Sequence, residues 1–141
     1  MQIAFGLYDG FTALDAIGPY EVLQRLPGAT VTFVGTRTGE VRTENGFLGL
    51  TVDALVGDLP QPDVIVVPGG IGSREAVEDR VLVDWVRSAH QTTTFTTSVC
   101  TGSWIYGKMG LLDGLPATNR KEPDRLEASA FGKVPIDRLA E

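Results

Sequence analysis

The stretch TTTFTTSVCTGSW, residues 92–104, decides how this chain is read. Residues 92–99 are dominated by Thr with Phe95 among them, types that suit a pleated strand. Residues 101 to about 112 carry a helical pattern stopped by Asp113 and Gly114. A strand that runs straight into a helix is the unit from which parallel sheets are wound. Cys100 stands at the junction. The run Ser98-Val99-Cys100-Thr101-Gly102 follows the nucleophile-elbow pattern, in which small residues two before and two after the central one let the backbone turn sharply.

Working outward, residues 63–67 form a β-branched run that fits a strand covered on both faces, ending in Pro68-Gly69-Gly70. Residues 73–90 then place Ala76, Val77, Val81, Val83, Trp85, Val86 and Ala89 at helical spacing, which predicts one helix. Residues 2–8 read as a first buried strand closed by Asp9-Gly10. Residues 11–26 read as helical but interrupted at Pro19, giving two short helices or one kinked helix. Residues 30–35 are a second strand, and Glu44-Asn45-Gly46 turns a hairpin expected at the periphery. Residues 122–131 look helical with Gly132 as their stop, and residues 133–136 open another strand. This alternation predicts a single α/β domain over residues 1–141, a doubly wound parallel sheet with right-handed crossovers.

Composition narrows the function. Twelve Lys and Arg against 18 Asp and Glu give a net charge of -6 with no basic stripe, which argues against a nucleic-acid partner. No run approaches the roughly 20 apolar residues that span a bilayer, and MQIAFGLYDG is not a basic leader, so no membrane partner and a cytoplasmic location are expected. One Cys allows no disulfide within the chain, and a single His, His90, leaves too few ligands for a zinc site, so no metal is expected.

The candidate site gathers at the carboxyl ends of the strands, where open α/β sheets bind their ligands. A helix beginning at Thr101 would aim unpaired N–H groups at the Cys100 sulfur and favour its thiolate. A lone Cys after an apolar strand is also, in many proteins, just a small buried hydrophobe. The Ser-x-Cys-x-Gly setting favours the reactive reading. Gly70 and Ile71, in the Pro68-Gly69-Gly70-Ile71-Gly72 turn, can supply N–H donors which with the Thr101 amide would form an oxyanion hole; an ordinary tight loop is the other reading. The turn lacks the spacing of a dinucleotide fingerprint and the Lys of a phosphate loop, so no cofactor is expected. Asp15, in the apolar segment from Ala13 to Pro19, is either an acid beside the thiol or a helix N-cap. Trp104 is either core or a pocket wall. His90 falls at the opposite end of the cysteine strand, which disfavours a Cys–His pair.

The segments Leu14-Asp15-x-x-Gly18-Pro19-x-Glu21-Val22-Leu23, Pro68-Gly69-Gly70 and Thr97-Ser98-Val99-Cys100-Thr101-Gly102-Ser103 resemble, in order and spacing, the ThiJ/PfpI superfamily, and within it the isonitrile hydratases. The resemblance implies a flavodoxin-like sandwich, usually homodimeric, with catalytic Cys100, Asp15 and Thr101. The implied activity is addition of water to a small electrophile, R–N≡C, to give an N-substituted formamide. Peptidase-like and deglycase-like members carry Glu at the acid position and a His where this chain has Ala117-Thr118-Asn119-Arg120; the hydratases too usually have a His near the position of Arg120. Two other functions are compatible with the same resemblance: the ligand-sensing domain of a transcription regulator, and a redox or carbonyl-stress protein acting through Cys100. Domains of this kind commonly continue beyond the point where this chain stops at Glu141, so a C-terminally truncated sandwich is expected.

Overall fold

The computed structural model describes residues 1–115 of the 141. The expected helix at 122–131, the strand at 133–136 and the segment around Arg120 lie outside the described residues. Seven strands are described: β1 (Gln2–Gly6), β2 (Thr30–Gly35), β3 (Gly39–Arg42), β4 (Gly49–Val52), β5 (Ala54–Leu55), β6 (Val64–Val67) and β7 (Phe95–Ser98). The helices are α1 (Ala13–Leu23), α2 (Ser73–Ala76), α3 (Arg80–Ala89) and α4 (Ser103–Lys108), with a 3-10 turn at Cys100–Gly102.

β1 and β6 lie side by side, with Ile3 opposite Val64 and Phe5 opposite Val66. Because successive side chains on a strand leave by opposite faces, these apolar strands feed two cores. Ile3, Phe5, Val64 and Val66 pack with Phe11 and Ala16 on the α1 side. Ala4, Ile65 and Val67 pack with Leu82, Val86, Ile105 and Tyr106 on the side of α3 and α4. A sheet whose central strands β1 and β6 are buried on both faces, with strand order β5-β2-β1-β6-β7 and all pairs parallel, is the expected α/β doubly wound, flavodoxin-like sheet. From β1 the chain winds outward to β2 and β5, and on the other side to β6 and β7. The reversal between β1 and β6 opens a crevice at their carboxyl ends, the usual ligand position in such sheets.

One open alternative is resolved and three local expectations are corrected. Of the two readings left open at Pro19, the structure has one continuous helix, α1, and Gly18 before the proline carries no Cβ to crowd its ring. The single helix expected over 73–90 is two, because the Asp79 carboxylate accepts from Val81 N and Leu82 N and starts α3 afresh. The helix expected from Thr101 to about Leu112 begins as a 3-10 turn and its α-helical part is only Ser103–Lys108. The β3–β4 hairpin does stand apart from the main sheet, yet it is not peripheral: Val41 and Val52 are buried against Phe11, and Gly10 N donates to Arg42 O at 2.7 Å.

Candidate active site

Cys100 has φ 53°, the one non-glycine residue with positive φ among the described residues. Side chains rarely occupy that region, and the cost is tolerated where surrounding structure holds it. Here the elbow is held from both sides. Val99 N donates to Val67 O at 3.0 Å, and Gly102 N to Val99 O at 3.0 Å. Gly102 is pressed against the end of β6, where a Cβ would fall 2.3 Å from Val67 O. The result is an exposed cysteine at the tip of a tight strand-to-helix turn.

Gly69 is where the site converges. A Cβ built on it would lie 2.7 Å from Thr101 N, 2.8 Å from Asp15 Oδ2 and 2.8 Å from Cys100 Cβ. The carboxylate oxygen and the cysteine Cβ are therefore no further apart than twice that distance, with a backbone nitrogen of the elbow beside the same point. Gly69 N donates to Asp15 Oδ2 at 3.1 Å, and Gly69 O accepts from Thr12 N at 2.8 Å. Thr12 is the N-cap of α1 and makes no side-chain cap, so Asp15 sits inside the first turn with its carboxylate turned toward the elbow. Burial raises the Asp15 pKa above the ordinary carboxylate range; the Gly69 N–H opposes this and the nearby Glu44 charge adds to it.

The other expected residues divide. Gly70 reaches the elbow, but its N–H donates to Thr101 Oγ1 at 3.0 Å, and the Thr101 hydroxyl also lies 3.1 Å from Ser73 Oγ and 3.2 Å from Gly70 O. Thr101 thus ties the loop after β6 to the elbow through its hydroxyl, while its backbone nitrogen lies beside Gly69. Ile71 is 62% exposed, and a Cβ built on Gly10 would lie 3.6 Å from its Cγ2. Trp104 is half-buried in the first turn of α4. His90 is the C-cap of α3, with Nδ1 2.9 Å from Thr96 Oγ1 on β7. A cleft of about 180 Å³ lined by Tyr8, Arg37, Glu75 and others shares Tyr8 with this site but includes neither Cys100 nor Asp15.

Three participants escaped the sequence reading. Gly69 was visible only as part of a glycine turn. Ser73 is fully buried at the start of α2, a polar residue without exposure, which a one-helix reading of 73–90 hides. Tyr8 follows β1, and its hydroxyl donates to Pro68 O in the same loop; the signal was a polar-tipped aromatic at the carboxyl end of a central strand. Among the described residues no group of three or more His, Cys, Asp or Glu is placed to hold a metal, and no helix is long and apolar enough to cross a membrane.

A doubly wound α/β sheet with an exposed, strained cysteine at an elbow beside a carboxylate of the first helix defines a cysteine-elbow α/β protein. The family model for the DJ-1/PfpI family matches residues 1–130, and the chain belongs to that family. It is 41% identical over 140 residues to an isonitrile hydratase of Pseudomonas putida, spanning 99% of this chain and 60% of that protein. It is 31% identical over 142 residues to the HTH-type transcriptional regulator GbdR of Pseudomonas aeruginosa, spanning 94% of this chain and 37% of the regulator. A crystal structure of a ThiJ/PfpI family protein from Pseudomonas syringae superposes with a TM-score of 0.76 at 32% identity, over 80% of this chain and 47% of that one. The chain thus spans little more than half the length of the hydratase, and less of the other two.

Proposed function

We propose that the chain carries the catalytic centre of a cysteine-dependent isonitrile hydratase. The observation that carries this reading is the meeting of Cys100, the Asp15 carboxylate and the Thr101 backbone nitrogen around the missing side chain of Gly69. The identity with the Pseudomonas putida hydratase supports the choice of substrate. The Cys100 thiolate adds to the terminal carbon of R–N≡C, and Asp15 delivers its proton to that carbon, giving the thioimidate R–N=CH–S–Cys. Water then adds to the same carbon, one of its protons going to nitrogen and the other back to Asp15. The C–S bond breaks, releasing R–NH–CHO and the thiolate. A carboxyl whose pKa is raised by burial is suited to hold the proton between these steps. Thr101 holds the loop by its hydroxyl and offers its N–H to the negative charge that develops.

Formamide production from cyclohexyl isocyanide tests the proposal. Turnover is expected from the unmodified protein and lost in Cys100→Ala and Asp15→Asn; undiminished turnover in either variant rejects that residue's role. The proposal includes the homodimer implied by the family resemblance, and a monomer in sedimentation at micromolar concentration would remove that part. A second reading, the ligand-sensing domain of a regulator, is supported by the likeness to GbdR over nearly all of this chain. It predicts saturable binding of a small molecule with no formamide formed.

A further inference from the structure

Two hydrogen bonds meet on one peptide unit at the centre of the site. The Tyr8 hydroxyl donates to the carbonyl of Pro68, and the N–H of the same peptide, that of Gly69, donates to Asp15 Oδ2 at 3.1 Å. A peptide is planar and its carbonyl and N–H are electronically coupled, so a donor on the oxygen both fixes the plane and strengthens the N–H as a donor. We infer that Tyr8 is a positioning residue for Asp15, acting through the Pro68–Gly69 peptide to hold the carboxylate beside Cys100 and to set how readily it carries a proton. The inference deepens the hydratase reading and rests on its use of Asp15 as the proton carrier.

The ring packs against both cores and the hydroxyl donates to Pro68 O. Burial, with the Asp15 and Cys100 charges behind it, holds the Tyr8 pKa far above the ordinary tyrosine range, so the hydroxyl stays a donor throughout the working pH range. It is therefore not itself an acid or base in the reaction. The groups that face Asp15 are Tyr8 from the end of β1, Cys100 from the elbow and Glu44 from the β3–β4 turn, and the loop after β6 contributes only the Gly69 N–H. Of these, only Tyr8 reaches the carboxylate through a donor that stabilises its charged form. Removing the hydroxyl weakens that donor and leaves desolvation and Glu44 less opposed.

The test is the titration of the Asp15 carboxyl, followed by its carboxyl-carbon chemical shift, in the unmodified protein, Tyr8→Phe and Tyr106→Phe. Tyr106 is the control: a buried tyrosine whose hydroxyl donates to Thr97 O at 2.6 Å, with no bond to the Pro68–Gly69 peptide. The expected result is an upward shift of the Asp15 midpoint in Tyr8→Phe and none in Tyr106→Phe. An unmoved midpoint in Tyr8→Phe, or an equal shift in both variants, overturns the inference, the second outcome meaning general loosening of the sheet end. The titration needs no turnover, so it succeeds or fails independently of whether formamide is made.

Discussion

Gly69 has no space for even one carbon, since the position of its Cβ is already enclosed by Thr101 N, Asp15 Oδ2 and Cys100 Cβ. Gly69→Ala must push apart the groups that make the site, and overpacking of this kind costs about 1–3 kcal/mol. A lower melting temperature and a changed rate of Cys100 alkylation by iodoacetamide are expected together; loss of stability with unchanged alkylation would place the strain elsewhere. Asp15 makes a second prediction with a definite sign. Its folded pKa is raised by burial, so between the unfolded value of about 3.9 and the folded value the native state holds more protons than the unfolded one. Stability is then lost as pH rises through that window. Asp15→Asn can still accept from Gly69 N but cannot ionise, so its melting temperature should gain on that of the unmodified protein as pH rises from about 4, levelling once the carboxyl is fully ionised in both states. Parallel melting curves across that range would contradict the raised value.

At the scale of elements, the break between α2 and α3 rests on one side chain. Asp79 caps α3 through two backbone N–H groups, and Asp79→Ala should cost about 1 kcal/mol, read as a lower urea midpoint at unchanged slope. The helical spacing of 73–90 did not reveal this break, because apolar residues continue on both sides of it. The cap resets the phase: Leu82 is buried while Val81 is 59% exposed. At Pro19 the sequence left one helix or two open, because a proline within a helix costs a backbone hydrogen bond without always ending the helix. The longer strands were legible from short β-branched or Thr-rich runs bounded by turn residues, their ends shortening by a few residues where pairing stopped, as at Phe95–Ser98, while the two-residue β5 at Ala54–Leu55 was too short to leave a pattern. The hairpin's turn was legible from Asn45-Gly46, but its packing against Phe11 was not, since a non-local contact leaves no periodicity in the chain.

The whole molecule joins a legible scaffold to a partly legible site. Parallel topology and the carboxyl-end crevice follow from the order of strands and helices, and the elbow from five residues around Cys100. What the chain could not announce is which groups close on which: the Thr101 hydroxyl bonds Gly70 and Ser73, and Tyr8 reaches the peptide that holds Asp15. These contacts join residues tens of positions apart, so only the fold brings them together. The central claim is that Cys100 attacks the substrate carbon, and the measurement nearest to it is the intact mass of the protein after mixing with cyclohexyl isocyanide and rapid acid quench. A transient adduct of one isocyanide per chain, mapped to Cys100, absent in Cys100→Ala and decaying as the formamide appears, is the predicted result; formamide made at full rate by Cys100→Ala with no adduct in either protein would contradict it.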